Sequence, residues 1–190
     1  ALIGWAANKQ HDRVGGVLFG NPATGIRYYR ATPGRRGLWR VLRALTEPIE
    51  QGDTDESQLI AALQQLDKGA PTGALIFVIA PLNQVTTGLE RILGSLRQRH
   101  DVMLLPVDDP ADRDLPAMGP VIFSNAAGEL LEVDTDNEAG RQAFREDWEQ
   151  RRDELQQLAY RLGLGLIPLN TTDDIHRTLI DGLRRYAGRR

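Results

Sequence analysis

Apolar residues in this chain occur both in short unbroken runs and at helical spacing. The run from Leu75 to Ile79 contains only large apolar residues, mostly β-branched or aromatic, with Gly73 before it and Pro81 after it. Such a run is typical of a strand buried on both faces, and these strands occur almost only in parallel sheets. We therefore interpret 75–79 as the central strand of an α/β domain.

The rest of the pattern predicts strands and helices in alternation. Such alternation is typical of a doubly wound, mostly parallel sheet with helices on both faces. The turn-forming residues 124–128 lie between two apolar segments and predict a β-hairpin. Thr172 or Asp173 is the predicted N-cap of the last helix. The predicted strands are 13–19, 26–30, 101–107, 121–123, 130–133 and 164–169, and the predicted helices are 1–11, 38–45, 57–66, 87–99, 138–162 and 173–186.

The length of 190 residues predicts one domain, 1–190, with a full hydrophobic core. A helix that opens a doubly wound domain usually follows a strand, so we expect that strand to lie upstream of Ala1. The domain would then be the C-terminal part of a longer protein. If a second chain fills the place of that strand, we expect a homodimer.

Composition indicates a water-soluble globular domain, with 41% hydrophobic and 26% charged residues. No apolar run approaches the roughly 20 residues of a membrane span. The absence of cysteine excludes a disulfide framework, a thiolate nucleophile and a cysteine-based zinc site. We expect a cytoplasmic location for this domain, with membrane association left open for the full-length protein.

Charge is unevenly distributed along the chain. Residues 1–45 carry eight Lys or Arg and one acid, whereas 46–138 carry five Lys or Arg and seventeen acids. This layout can steer a charged partner, but the preferred interpretation is that it reflects solvated faces without a dedicated partner. With an isoelectric point near 5.7, the chain is not expected to bind nucleic acid.

Polar residues near the predicted strand ends are candidates for partner binding. The carboxyl end of a parallel strand is where an open α/β sheet usually carries its ligand site, and this end of 75–79 offers Pro81 and Asn83 but no carboxylate. Asp108 and Asp109 begin an acidic loop after the next buried strand. That loop lacks the glycine and glutamate spacing of an EF-hand. A second candidate group precedes a helix and comprises Asp53, Thr54 and Asp55, which also fit an ordinary N-terminal cap.

No pattern indicates catalysis. His11, His100 and His176 are scattered and occupy no metal-ligand or nucleophile motif. The basic turn 34–37 lacks the glycine and lysine spacing of a phosphate-binding loop. We predict no catalytic residue.

Several segments together resemble a known family. They occur in consistent order over nearly the whole chain, and the stretch from His100 to Pro116 is the most specific of them. They resemble the C-terminal, von Willebrand factor A-like region of bacterial proteins of unknown function that accompany MoxR-type AAA+ ATPases. The matching segments are 12–20, 52–55, 100–102, 107–116 with Gly119, 128–135 and the helix around Arg151 and Arg152.

The resemblance implies a Rossmann-like fold and, in many A-type domains, a Mg²⁺ site at the carboxyl edge of the sheet. Its ligands are an Asp-x-Ser-x-Ser on the first strand, a Thr from a later loop and an Asp after the central strand. Thr54 matches the second element, the first is absent, and Ala80 and Pro81 stand at the third. We expect no cofactor, with Thr54 and Asp55 the only metal candidates, and Mg²⁺ only if an upstream strand supplies ligands.

The leading hypothesis is a non-enzymatic protein-interaction module, with a MoxR-type ATPase as the partner that the resemblance implies. The alternative is a metal-dependent hydrolase or phosphoryl-transfer domain that uses Thr54 and Asp55 with upstream residues. A third hypothesis is a degenerate domain that only scaffolds a larger protein.

Overall fold

The structure is a computed structural model that describes residues 1–48, 56–124 and 130–188. The chain forms two compact units, Ala1–Thr72 and Gly73–Arg190. Each unit has its own strands and helices, and the single domain expected from the chain length stays a prediction.

The first unit pairs two antiparallel strands with three helices. The predicted pairing of 13–19 with 26–30 is confirmed, with Val17 opposite Tyr28 and an irregular register between Val14 and Gly16. The elements of this unit are α1 (Leu2–Lys9), β1 (Val14–Leu18), β2 (Arg27–Thr32), α2 (Arg35–Leu45) and α3 (Glu56–Gly69).

Helix α2 lies very close to the β1–β2 pair. A Cβ atom at Gly37 would lie 2.4 Å from Thr32 Oγ1 and 2.8 Å from the carbonyl oxygen of Val14. Only glycine therefore permits this approach. Helix α1 contributes Trp5, whose ring meets that of Trp39 edge-to-face at a centroid distance of 6.1 Å.

The second unit carries the parallel sheet. Its helix over 138–162 and its strand beginning at residue 101 lie as the sequence pattern predicts. Its elements are β3 (Leu75–Ala80), α4 (Thr87–Arg99), β4 (Asp101–Asp108), α5 (Pro110–Arg113), β5 (Pro120–Ser124), β6 (Leu130–Asp134), α6 (Glu138–Leu162), β7 (Gly165–Leu166), β8 (Leu169–Asn170) and α7 (Ile175–Ala187).

Strand β4 is the centre of this sheet. It pairs in parallel with β3 on one side and with both β7 and β8 on the other. Its consecutive residues from Val102 to Leu105 are each at most 1% exposed, so both faces of the strand are covered. The predicted α/β class with a parallel central sheet and helices is confirmed.

The prediction that 75–79 is the central strand, buried on both faces, is wrong. Among the described residues β3 pairs only with β4, so it lies at the edge of the sheet. Leu75 is 54% and Ile79 55% exposed, while Ile76 and Val78 are buried. An apolar run alone does not reveal whether both faces of a strand find a covering element.

Three smaller differences separate the predicted elements of the second unit from those in the structure. The predicted strand 164–169 is two short strands, and the acidic loop after β4 contains the one-turn helix α5. Helix α7 is capped by Asp174, whose side chain accepts a hydrogen bond from Arg177 N, rather than by Thr172 or Asp173.

Within the part of the chain that the structure describes, no helix combines the length and hydrophobicity that a bilayer crossing requires.

Candidate functional site

The candidate site lies at the carboxyl edge of the parallel sheet. Strands β3, β4 and β8 all end there, because parallel strands point the same way. The loop that follows β3 begins at Pro81, and the loop that follows β4 begins at Asp109. This is the edge at which open α/β sheets usually bind their ligands.

A single arginine from helix α6 connects the loop after β3 with the carboxyl end of β4. The guanidinium of Arg152 donates hydrogen bonds to the carbonyl oxygens of Pro81 (2.9 Å) and Leu82 (3.0 Å) and to Asn83 Oδ1 (3.1 Å). The same group forms an ion pair with Asp108. The planar fork of arginine suits this role, because its five N–H donors can satisfy several acceptors at once.

The ion pair between Arg152 and Asp108 is largely shielded from water. The Arg152 side chain is 13% exposed and the Asp108 side chain 8%. A buried carboxylate is costly unless it is paired, so Arg152 makes the charge of Asp108 tolerable at the end of a core strand. The carboxylate is thereby engaged within the domain.

The loop after β3 has an unusual backbone conformation. Leu82 adopts a φ of 50°, in the left-handed region that bulky residues rarely enter. Its side chain is 4% exposed, and its carbonyl oxygen accepts a hydrogen bond from Arg152. Burial of the Leu82 side chain and the arginine contact together hold this conformation against its intrinsic cost.

Trp148 lies between two arginines, one turn before Arg152 on α6. The guanidinium carbons of Arg113 and Arg152 lie 5.5 Å and 5.6 Å from the centroid of its ring. Both distances are within the range of cation–π attraction. Arg113 also pairs with Glu149 at 3.3 Å, so α5 is tied to α6 beside the candidate site.

Asp109 is held by hydrogen bonds at the start of α5. Its carboxylate accepts from Thr171 Oγ1 at 2.7 Å and from Ala111 N at 3.0 Å, and its own N–H donates to Asp112 Oδ2 at 2.7 Å. The bonds from Thr171 and then from Ala111 stabilise the ionised form and lower the pKa of Asp109. Asp109 therefore stays an acceptor-only anion in neutral solution.

Four of the predicted partner-binding residues come together at this edge. Pro81 and Asn83 follow β3, Asp108 and Asp109 follow the neighbouring β4, and Arg152 contacts three of these four. Pro81, Asn83 and Asp109 are exposed and Asp108 is buried. The other three predicted residues, Asp53, Thr54 and Asp55, lie outside the described residues.

Sequence reasoning missed the role of Arg152. It lies 44 residues from Asp108 and 71 from Pro81 along the chain, in a helix that also carries other arginines. The available signal was Asp108 itself, since an acid that ends a buried strand requires a cationic partner. That signal does not indicate which arginine supplies the cation.

The residues at this edge do not fit a Mg²⁺ ion. The side chains of Ala80 and Pro81 offer no oxygen ligand, and Asp108 is occupied by a guanidinium whose charge opposes a divalent cation. Within residues 1–48, 56–124 and 130–188, no group of three or more His, Cys, Asp and Glu has a metal-binding arrangement.

The family model described as "Protein of unknown function DUF58" matches residues 1–154. The chain belongs to the DUF58 family. The fold of this DUF58 domain is similar to the crystal structure of conserved hypothetical protein BatB from Bacteroides thetaiotaomicron. The TM-score is 0.50 with 13% identity, and the match covers 98% of this chain and 85% of that chain. At that identity the likeness concerns the fold alone. No protein with a curated description matches the sequence.

Proposed function

We propose that this DUF58 domain is a non-enzymatic protein-interaction module of the von Willebrand factor A-like type. Its binding surface is the carboxyl edge of the sheet, and its partner is a MoxR-type AAA+ ATPase in the cytoplasm. The partner follows from the family resemblance of the sequence. The structure of the edge supports the choice of surface.

The arrangement around Arg152 carries this proposal. It fixes the loop after β3 to the carboxyl end of the neighbouring β4 through one guanidinium, and Pro81, Asn83 and Asp109 are exposed at this edge. A surface held in one conformation loses little conformational entropy on association, which favours its use in binding. The Asp108 carboxylate, engaged by Arg152, is poorly placed to act as a general base or a metal ligand.

Binding between the purified domain and a MoxR-type ATPase tests the proposal directly. We expect saturable binding by calorimetry, weakened about tenfold in the double variant Asn83→Ala, Asp109→Asn. Asparagine at 109 still caps α5, so the variant removes charge without removing the cap. Asp181→Asn, in the middle of α7, is the matched control and should bind within about twofold of the parent chain.

Two outcomes would contradict the proposal. One is the absence of binding to the ATPase by the parent domain. The other is equal binding by the double variant and by the Asp181 control, which would move the contact away from the carboxyl edge. Hydrolysis of a phosphoester that requires Mg²⁺ and is lost in Thr54→Ala would instead support the metal-dependent enzyme.

A further inference from the structure

The β5–β6 hairpin, which we call the arm, has an apolar face that is only partly covered, since Phe123 and Leu131 are exposed and Val121 and Val133 half-buried. Its register places Val121 opposite Val133 and Phe123 opposite Leu131. Directly opposite residues of an antiparallel pair project to the same side, so these four side chains share one face. Phe123 is 42% and Leu131 63% exposed.

The other face of the arm is mixed. It carries Ile122, which is 63% exposed, and Leu130, which is 71% exposed. Exposed Glu132 lies opposite Ile122 and exposed Asp134 lies two residues further along β6. The carboxylates on this side and the apolar side chains on the other distinguish the two faces chemically.

The arm has little support from the rest of its unit. Each of its two strands has the other as its principal packing neighbour among the described elements. An isolated two-stranded hairpin is only marginally stable in water and gains stability when a third element covers its apolar face. Clustered exposed apolar residues of this kind mark interaction surfaces.

The base of the arm, in contrast, is firmly fixed. Thr135 is 1% exposed; its hydroxyl donates to Gly119 O at 2.8 Å and accepts from Met118 N at 2.9 Å. Arg141 from α6 donates to the carbonyl oxygen of Thr135, and Gly119 N donates to Asp136 Oδ1 at 3.2 Å. The arm therefore projects from an anchored base, which lowers the entropic cost of docking it.

Charge around the arm selects the kind of partner. Residues 118–136 contain no Lys or Arg and four acids, Glu129, Glu132, Asp134 and Asp136. Such a segment is repelled by anionic lipid headgroups and by nucleic acid phosphates. It is complementary to a protein surface that carries Lys and Arg.

We propose that the arm docks its Val121, Phe123, Leu131 and Val133 face into an apolar groove of a protein partner whose rim carries Lys and Arg. The inference rests on the proposed function as an interaction module and adds a second contact surface to it. The apolar face supplies the buried centre of the interface, and the negative charge of the arm attracts the basic rim around that centre.

Site-specific photo-crosslinking of the intact protein in its native cells tests the inference. A benzophenone amino acid replaces Leu131 on the apolar face in one variant and Glu132 on the opposite face in the matched control. We expect a protein adduct at position 131 and little at 132. The crosslinked peptide of the partner should map to an apolar groove flanked by Lys and Arg.

The crosslinked partner is then purified and its affinity measured. Phe123→Ser with Leu131→Ser should weaken binding at least about tenfold, and Ile122→Ser on the other face less than about threefold. Raised salt should weaken binding of the parent domain more than that of Glu132→Gln, because the variant carries less of the negative charge that attracts the basic rim at longer range. Circular dichroism checks the fold of each variant, while the crosslinking result requires no destabilising substitution.

Four outcomes would overturn the inference. They are adducts only with a second copy of this chain, adducts only with lipid, no adduct at position 131, and equal affinity of the Phe123, Leu131 variant and the parent for the crosslinked partner. The crosslinking and affinity tests could reject the arm while the Asn83→Ala, Asp109→Asn variant still binds the ATPase more weakly than the parent does. In that case the proposed function stands and only the second surface is rejected.

Discussion

Arg152 donates hydrogen bonds to four acceptors at the carboxyl edge, and one of them is the Asp108 carboxylate. Among the contacts described above, no other cation pairs with this carboxylate. The neighbouring Arg151 offers a comparison within the same helix. It pairs with Asp147 four residues earlier, at side-chain exposures of 33% and 61%. The two arginines are adjacent in sequence, and only one of them is buried with its partner.

Arg152→Met should destabilise the domain by about 3–5 kcal/mol, because it leaves the Asp108 carboxylate buried without its cation. Arg151→Met should cost less than about 1 kcal/mol, since an exposed pair contributes little. Urea denaturation followed by circular dichroism measures both. If both variants lost the same free energy of unfolding, the ion pair with Asp108 would not be the principal contact of Arg152.

Thr171→Val should raise the pKa of Asp109 toward the ordinary value of about 3.9, because the hydroxyl that stabilises the carboxylate is removed. In the parent protein the pKa of Asp109 is lower in the folded state than in the unfolded state. The stabilisation is thus present above the unfolded pKa and is lost as the pH falls through the folded pKa. The variant should lose less stability on that acidification. A ¹³C titration of the Asp109 carboxyl group in both proteins checks the shift, and an unchanged value would refute the role of Thr171.

At the scale of elements, helix α6 delivers both Trp148 and Arg152 to the carboxyl edge and then ends sharply. Its C-cap, Gly163, has a φ of 64°, a left-handed conformation, and its N–H bonds to the carbonyl oxygens of Ala159 and Tyr160. Glycine takes this conformation without the penalty that a Cβ imposes. The turn leads directly into β7 and returns the chain to the sheet.

Gly163→Ala should lower stability by about 1–2 kcal/mol, the cost of a left-handed L-residue, since a Cβ there would meet only Arg97 Nε at 3.9 Å. Gly94→Ala in the interior of α4 is the control with the opposite sign. Its Cβ would meet only Leu162 at 3.9 Å, and alanine should stabilise the helix by about 0.5–1 kcal/mol. Thermal unfolding of both variants provides the measurement. A destabilised Gly94→Ala would show that backbone preference does not govern these sites.

At the scale of the whole molecule, the described residues offer a divalent cation no adequate ligand set. We expect calorimetric titration of Mg²⁺ into the chain to give no saturable heat up to about 10 mM, because magnesium requires several hard oxygen ligands in near-octahedral geometry. Thr54→Ala should behave as the parent does. Saturable binding that disappears in Thr54→Ala would instead favour the alternative hypothesis of a metal-dependent enzyme.

The homodimer expected from the sequence stays a prediction. The structure supplies a physical reason to measure it, because the exposed Leu75 and Ile79 lie on a strand that has one described neighbour. An apolar edge strand without charged or proline residues invites pairing with another strand. Sedimentation at high protein concentration decides the matter, and a stable monomer would count against the dimer.

Most of the helices and strands could be predicted from the sequence, because their signals are local. The β-branched run at 75–79 and the helical spacing over 138–162 each depend on neighbours a few positions away. The apolar segments 121–123 and 130–133 form the antiparallel pair β5–β6, while the predicted turn residues 125–128 lie outside the described residues. The candidate site was partly accessible for the same reason. Pro81, Asn83, Asp108 and Asp109 were named as candidates because they lie at the ends of predicted buried strands, and in a parallel sheet such ends share one edge.

The tertiary structure establishes which surfaces are covered and which charges meet. It placed β4 rather than β3 at the centre of the sheet, paired Asp108 with Arg152, and left Phe123 and Leu131 of the arm exposed. Each of these depends on residues far apart in the chain. The sequence pattern indicates that an apolar residue favours burial and that a buried charge requires an oppositely charged partner. Whether burial and pairing occur depends on how elements that are distant in the chain pack together.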